Sequence, residues 1–314
     1  AATAQRSQSV IDKWTQLTIG ANANIHRAVH KLAVDATDEY ESTRDAVKEY
    51  INAAAREEIV FTSGTTGSIN LVAFSFGETF VNEGDEIIVS ESEHHSNIVP
   101  WQMLCQRKGA VLRVLHVDED GHLNLEELKS LLNPKTRIVA VTQISNVLGI
   151  LNPVKEIVSI CHSTGCPVLI DGAQGMVHEG VDVQDVDCDF YAFSGHKLYA
   201  ATGTGVLYGK RKWLDQMVPY QGGGEMIATV RFSGTTYAPL PEKFEAGTQN
   251  INAIPTLEPA IEMLKLMKDK ELLNAQEAVS QYLLHALTSN PRVRLYGVPR
   301  GTETKIPLFS FSVE

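Results

Sequence analysis

Residues 189–209, "DFYAFSGHKLYAATGTGVLYG", hold a polar segment between two short apolar runs. The runs "DFYAFSG" and "GVLYG" predict two strands. Ser194, His196 and Lys197 lie between them, and all three side chains can bind a ligand or take part in catalysis. A histidine and a lysine beside a buried sheet cost free energy unless they have partners. The stretch therefore predicts a functional turn at the end of a buried strand.

Strand and helix patterns alternate along most of the chain. Further apolar runs predict strands within residues 57–64, 85–92, 110–117, 136–145 and 166–174. They are rich in Val, Ile and Leu with little polar alternation, which is typical of a parallel sheet covered on both faces. We predict an α/β fold with a mostly parallel central sheet flanked by helices. In such sheets, ligands bind at the carboxyl ends of the strands.

The pattern changes near residue 255. Residues 256–290 have the spacing of a long amphipathic helix, and residues 293–297 and 306–314 resemble strands. We predict a large ligand-binding domain over 1–258, followed by the start of a smaller α+β domain over 259–314.

Composition limits the classes of partner and compartment. The 314 residues carry a net charge of −11, which argues against nucleic acid and anionic membranes as partners. We see no signal-peptide pattern and no apolar run near the ~20 residues of a membrane helix. Cys105, Cys161, Cys166 and Cys188 form no CxxC pair. Reduced thiols and a cytoplasmic location are the simplest interpretation.

Polar residues follow several predicted strands. Residues 63–68, "SGTTGS", open a helix, and their backbone N–H groups and hydroxyls suit a phosphate. This loop matches neither Walker A nor G-x-G-x-x-G, and an ordinary capped helix start is an equal alternative. His94 and His95 lack metal-ligand spacing, so no metal site is predicted; an imidazole there could instead lie against an aromatic ligand.

Asn146, Asp171 and Lys197 are the remaining polar residues that follow predicted strands. Asn146 can hydrogen-bond a ligand oxygen, and Asp171 follows four apolar residues, so its carboxylate needs a partner. Alone, Asp171 would be a turn cap and Lys197 a surface lysine. Together, a phosphate cradle, a flat ring, an acid and a lysine are the parts that pyridoxal phosphate requires.

The order of motifs resembles that of one enzyme family. The chain is similar to the SufS-type (group II) cysteine desulfurases and their selenocysteine lyase relatives, within the aminotransferase class V group of pyridoxal-phosphate enzymes. The resemblance covers essentially all 314 residues and implies the aminotransferase fold type I. It rests on "NANIHRAVH", "FTSGTTGSINLVA", "EHHSNIVPWQ", "SNVLGI", "DGAQGMVH", "DCDFYAFSGHKLY", "GGGEMI" and "FEAGTQN".

The resemblance implies roles for the matching residues around the cofactor ring. Lys197 is similar to the Schiff-base lysine, Asp171 to the partner of the pyridine nitrogen and His94 to the imidazole stacked on the ring. Gln174 matches a donor to the ring hydroxyl, and Asn146 a contact on the substrate side.

Other matching residues lie farther from the ring. Thr248 resembles a residue that reaches the phosphate from the other subunit of a homodimer. His26 and Arg27 are expected at the mouth of the site. The phosphate ligands implied by the resemblance are Thr65, Thr66, Ser194 and His196.

The implied reaction removes sulfur from L-cysteine, giving L-alanine and an enzyme persulfide that passes to an acceptor protein of Fe–S cluster assembly. The alternatives are a selenocysteine lyase or another class V lyase or aminotransferase. A catalytically silent subunit is a third alternative, which the intact His94, Asp171 and Lys197 disfavour. The family's nucleophilic cysteine and its carboxylate-binding arginine are expected beyond Glu314.

The sequence departs from the family at a few positions. Gly67 stands where relatives often have Glu, Gln143 replaces a common His, Ala200-Ala201 replaces Gly-Pro, and Gln249 replaces Pro. We expect these differences to affect loop stiffness and dimer coupling more than cofactor binding.

Overall fold

The predicted central sheet is present and has seven strands. The computed structural model describes residues 3–26, 29–269, 272–298 and 305–314. The strands are β1 (Ile59–Thr62), β2 (Glu86–Ser90), β3 (Val111–Leu115), β4 (Thr136–Thr142), β5 (Val168–Asp171), β6 (Phe190–Ser194) and β7 (Gly205–Gly209). Their order across the sheet is β1-β7-β6-β5-β4-β2-β3. Only β7 runs against its neighbours, β1 and β6, so the other strands end at the same edge.

Helices cover both faces of the sheet. They are α1 (Gln8–Gly20), α2 (Lys31–Tyr50), α3 (Thr65–Phe80), α4 (Val99–Lys108), α5 (Leu125–Leu131), α6 (Val154–His162), α7 (Gly175–His178), α8 (Val183–Val186), α9 (Arg211–Leu214), α10 (Leu257–Asp269) and α11 (Leu272–Thr288). α10 and α11 fall within the predicted helical stretch 256–290, and residues 270–271 between them lie outside the described residues. Pro153 lies at the N-cap of α6.

Apolar layers on the two faces of the sheet explain why its strands are continuous apolar runs in the sequence. Successive side chains of a strand point to opposite faces. On β4, Val139 and Val141 pack into the layer formed with α2, α5, α6 and α10, whereas Ile138 and Ala140 pack against α3 and α4. Because neither face of β4 meets water, the strand needs no polar residues on either face. The predicted sheet, flanked on both sides, is confirmed.

Four further strands lie outside the main sheet. β8 (Ile227–Arg231) and β9 (Gly234–Tyr237) form an exposed antiparallel hairpin that we did not predict. β10 (Val293–Tyr296) and β11 (Ser310–Val313) pair antiparallel and match the two predicted C-terminal strands. The division into domains over 1–258 and 259–314 stays a prediction. Within the described ranges, every helix is too short or too polar to cross a bilayer.

Candidate active site

A cavity of about 390 Å³ lies at the carboxyl edge of the sheet. Its volume falls within the roughly 300–1,000 Å³ typical of small-ligand sites. It forms where β1, β2, β4, β5 and β6 end, because parallel strands bring their carboxyl ends together. Nine of the predicted site residues line it: Thr65, Thr66, His94, Asn146, Asp171, Gln174, Ser194, His196 and Lys197.

One end of the cavity is the N-terminus of α3. The Ser194 hydroxyl accepts a hydrogen bond from Thr65 N at 2.8 Å and lies 2.7 Å from Thr65 Oγ1. Gly64 precedes the helix at φ 144°, and a Cβ added to Gly205 would lie 2.3 Å from Gly64 Cα. Glycine at both positions therefore lets β7 approach the helix start closely. First-turn N–H groups have no acceptor within their own helix, so this end suits an anion.

Asp171 is a buried acid at the end of β5. Its Oδ1 accepts a hydrogen bond from Ala173 N at 2.9 Å, which is the one hydrogen bond of its carboxylate within the described ranges. Burial raises the pKa of Asp171, while the Ala173 N–H and the Lys197 charge oppose the increase. A cationic ligand atom beside the carboxylate would stabilise its charge.

Lys197 lies in the turn after β6. Burial lowers the pKa of its amine, and the Asp171 charge only partly offsets this. In the part of the chain that the structure describes, Lys197 Nζ forms no hydrogen bond or ion pair. A desolvated amine with a lowered pKa is more readily deprotonated and therefore nucleophilic. The same turn carries His196, whose pKa is lowered by burial and by the Lys197 charge.

His94 is oriented by its own turn. Ser96 N donates to His94 Nδ1 at 3.1 Å, and Ser96 Oγ lies 2.8 Å from the same nitrogen. A nitrogen that accepts a backbone N–H carries no proton, so a neutral ring is protonated at Nε2. The turn thus holds one imidazole orientation at the cavity.

Two of the predicted site residues, Thr248 and His26, do not line this cavity. Thr248 is exposed and borders a separate hollow of about 260 Å³. His26 Nε2 lies 3.2 Å from a Glu41 carboxylate oxygen. Arg27 lies outside the described residues.

A buried charge network connects the surroundings of His26 and Thr248. Arg44 is fully buried and contacts Glu245 through two pairs, Nη1–Oε1 at 2.7 Å and Nη2–Oε2 at 3.0 Å. Arg44 Nε also donates to Glu41 at 3.0 Å. Burial would raise the pKa of Glu41, but hydrogen bonds from His26 and Arg44 lower it to about 2. Glu245 begins the "EAGTQN" loop that contains Thr248.

Two departures from the family have local hydrogen-bonding explanations. Gln143 accepts a hydrogen bond from the Tyr191 hydroxyl and donates to Gly180 O at 3.1 Å, so its amide is paired inside the core. Ala201 N donates to Thr256 Oγ1 at 3.0 Å, and a proline at position 201 could not make this bond. Nothing in the structure explains Gln249.

None of the four cysteines borders the cavity. All are buried and unpaired. Burial, with a contribution from the Asp189 charge, raises the pKa of Cys161 to about 12, and burial also raises the pKa of Cys105. The thiol of Cys188 is shifted in the same direction. A reactive thiol needs exposure and a low pKa, so these four are structural residues.

Sequence reasoning missed several cavity residues. Ser96 follows the predicted strand 85–92 by four residues, and Thr142 is a polar residue near the end of the predicted strand 136–145, so both positions offered a usable signal. Leu308 belongs to the C-terminal segment, where no local pattern indicates contact with the cavity. Across the described ranges, no three His, Cys, Asp or Glu side chains cluster as metal ligands.

The cavity residues fit pyridoxal phosphate. The α3 N-terminus and its hydroxyls match the phosphate, and the partly unpaired Asp171 carboxylate matches a protonated ring nitrogen. Lys197 offers an unpaired amine for the aldehyde carbon, and the His94 ring provides a flat surface. The residues present therefore match the phosphate, the ring nitrogen, the aldehyde and the ring face of this cofactor.

Comparisons with known proteins agree with this fit. The Aminotransferase class-V family model matches residues 1–314. A cysteine desulfurase of Pectobacterium atrosepticum is 49% identical over 298 residues, which are 95% of this chain and 73% of that protein. The crystal structure of the Escherichia coli cysteine desulfurase CsdA superposes with a TM-score of 0.87 at 38% identity, covering 99% of this chain and 77% of its own. The apo cysteine desulfurase of Thermococcus onnurineus gives a TM-score of 0.92 at 34% identity, with the same coverages of 99% and 77%.

Proposed function

Since the chain belongs to the aminotransferase class-V family, we propose that it is a pyridoxal-phosphate-dependent cysteine desulfurase. It takes L-cysteine as substrate and releases L-alanine, while the sulfur passes to an enzyme thiol as a persulfide. The observation that carries the proposal is the convergence of Lys197, Asp171 and His94 on one cavity. Sequence relatives and structural neighbours with this activity support it.

The residues of the chain divide the work of cofactor binding. Thr65 and Ser194, with the first-turn N–H groups of α3, hold the phosphate. Asp171 would pair with the ring nitrogen and favour its protonated form, and His94 would support the ring face. When bound, pyridoxal phosphate supplies an electron sink for negative charge that develops at the substrate Cα.

Lys197 has two tasks. Its Nζ, with a pKa lowered by burial, would hold the cofactor at its aldehyde group. The same amine would move a proton at the substrate Cα as a general acid and base. The sulfur-accepting thiol is none of the four cysteines, because all of them are buried away from the cavity.

The finer assignments are part of the proposal. The motifs "EHHSNIVPWQ" and "SGHKLY" support the SufS-type (group II) subtype. Thr248 is exposed and outside its own chain's cavity, which supports a homodimer in which it reaches the partner's phosphate. An Fe–S assembly protein accepts the sulfur, as the resemblance implies. Four unpaired cysteines support a reducing cytoplasm.

Borohydride reduction tests the cofactor assignment. We expect a pyridoxyl group on the peptide that contains Lys197 and no label in Lys197→Ala. Lys31→Ala is the matched control, because Lys31 is 85% exposed and pairs with Asp35 on the surface. It should retain the label. An unlabelled Lys197 in the unaltered protein would refute the proposal.

The substrate is tested by alanine release from the complete polypeptide supplied with L-cysteine or L-selenocysteine. We expect one alanine and one persulfide per site from L-cysteine before the acceptor is added. Alanine from L-selenocysteine alone would replace the proposed function with that of a selenocysteine lyase.

A further inference from the structure

Glu93 is a buried carboxyl group beside the cavity that the sequence analysis did not single out. Its Oε1 accepts a hydrogen bond from Thr142 N at 2.8 Å, and its Oε2 accepts one from Asn97 Nδ2 at 2.7 Å. Ser90 Oγ, at the end of β2, also hydrogen-bonds Oε1. The group is 8% exposed, so water does not replace these partners. One side chain therefore joins the end of β2, the turn after it and the end of β4.

The chemistry of position 93 is set by its neighbours. An indole N–H can only donate, and Trp101 Nε1 donates to Asn97 Oδ1 at 2.9 Å. The Asn97 amide is thereby oriented with its NH₂ group towards Glu93. The Thr142 backbone N–H, facing the other oxygen, is also a donor only. Both oxygens of Glu93 must accept, and a carboxyl group does this whereas an amide does not.

We propose that Glu93 is a positioning residue that fixes His94 and Thr142 at the edge of the cofactor site. This inference rests on the proposed function. His94 is the next residue in the chain, and the turn that orients its ring ends at Asn97, which Glu93 holds. Thr142 lines the cavity and pairs with Asp171 in the register of β4 and β5. Movement of the Glu93 carboxyl group would therefore displace both His94 and Thr142, which line the cavity.

The ionisation of the group agrees with this role. Burial raises the pKa of Glu93 to about 8, hydrogen bonds from Ser90 and Asn97 oppose the increase, and the Asp171 charge adds to it. Both Glu93 oxygens act as acceptors, Oε1 for Ser90 Oγ and Thr142 N and Oε2 for Asn97 Nδ2. The raised pKa of Glu93 lessens the negative charge beside Asp171 at the cavity.

Glu93→Gln tests the inference on the pyridoxal-phosphate affinity of the apo-protein. Its NH₂ group must face a donor, either Thr142 N–H or Asn97 Nδ2. We expect the dissociation constant for pyridoxal phosphate to rise at least tenfold. Trp101→Phe removes the group that orients Asn97, so the amide can turn over and accept from the glutamine. In the Trp101→Phe background, Glu93→Gln should therefore raise the dissociation constant by no more than threefold.

Leu128→Ala separates positioning from general loss of stability. Leu128 is fully buried in α5 and does not line the cavity. We expect this variant to lower the Tm at least as much as Glu93→Gln does while the dissociation constant stays within twofold of the unaltered protein. An equal loss of affinity in both variants, or an equal effect of Glu93→Gln with and without Trp101→Phe, would overturn the positioning role alone.

The cofactor assignment is tested separately by the unaltered protein. If borohydride places no pyridoxyl group on Lys197, the proposed function and the positioning role both fail. The positioning role alone fails if Lys197 is labelled but Glu93→Gln matches Leu128→Ala in affinity loss, or has the same effect with and without Trp101→Phe. Labelling together with the tenfold and threefold effects supports both.

Discussion

Removal of the Glu245 side chain should destabilise the protein strongly, because it leaves the buried Arg44 charge partly uncompensated. Arg44 is 0% exposed and Glu245 is 4% exposed, so solvent cannot substitute for the lost partner. Glu245 also accepts hydrogen bonds from Phe61 N at 2.7 Å and from the Tyr40 hydroxyl at 3.2 Å. Breaking a buried ion pair from one side typically costs about 3–5 kcal/mol.

The structure places Glu245→Ala within this range. Glu41 keeps its hydrogen bonds to Arg44 Nε and Nη2, which moderates the penalty for the charge. The Phe61 N–H loses its carboxylate acceptor inside the core, which adds roughly 1–3 kcal/mol. Because these two losses share one site they will not add fully, and we expect a fall of about 3–5 kcal/mol in the free energy of unfolding.

Urea unfolding of the cofactor-free protein measures this change. Glu126→Ala is the control, since Glu126 is 82% exposed and pairs with Lys129 on the surface. It should cost less than ~1 kcal/mol. Adding Arg44→Met to Glu245→Ala removes the uncompensated charge. The double variant should therefore lose less unfolding free energy than the losses of the two single variants added together. A loss below ~1 kcal/mol for Glu245→Ala, or single losses that add within ~0.5 kcal/mol, would refute the reasoning.

Three further predictions follow from other contacts. The hydrogen bond to Glu41 raises the pKa of His26 against the opposing effect of burial, so its stabilisation is present below the unfolded value of 6.5 and is lost as pH rises through the folded pKa. His26→Gln should therefore cost less than ~1 kcal/mol at pH 6 and nothing at pH 9 by urea unfolding, and equal losses at both would contradict the ion pair. Gly205→Ala forces a Cβ to within 2.3 Å of Gly64 Cα and should cost roughly 1–3 kcal/mol with weaker pyridoxal-phosphate binding, whereas Gly222→Ala, with nothing within 4 Å, should be neutral in both assays. An aromatic disulfide reagent should modify none of the four cysteines in the native protein and all four in urea, and rapid native reaction of any one would show that its burial is wrong.

Local patterns predicted the main sheet because six of its seven strands are buried on both faces, while the exposed edge strand β3 still carries an apolar run. An apolar run such as β4 needs no knowledge of its neighbours to be recognised. Asn124 is of a residue type favoured at helix starts and caps α5, where Glu127 N donates to its Oδ1 at 3.1 Å. The exposed β8–β9 hairpin escaped prediction because nothing in it carries the apolar pattern of a core strand. One long helix was predicted where α10 and α11 stand, since the amphipathic period continues across both.

The sequence by itself determined the chemistry of the site: a lysine, an acid, an imidazole and a hydroxyl-rich loop, each directly after an apolar strand. Only the tertiary structure brought them to one cavity, because strand order across the sheet is not encoded in any single segment. It alone also placed Thr248 and His26 outside that cavity and joined their surroundings through Arg44 and Glu245, about 200 residues apart in the chain. The acceptor role of Glu93 likewise depends on which way Trp101 orients Asn97. Such contacts arise from packing between segments, so their physical cause lies in the folded chain.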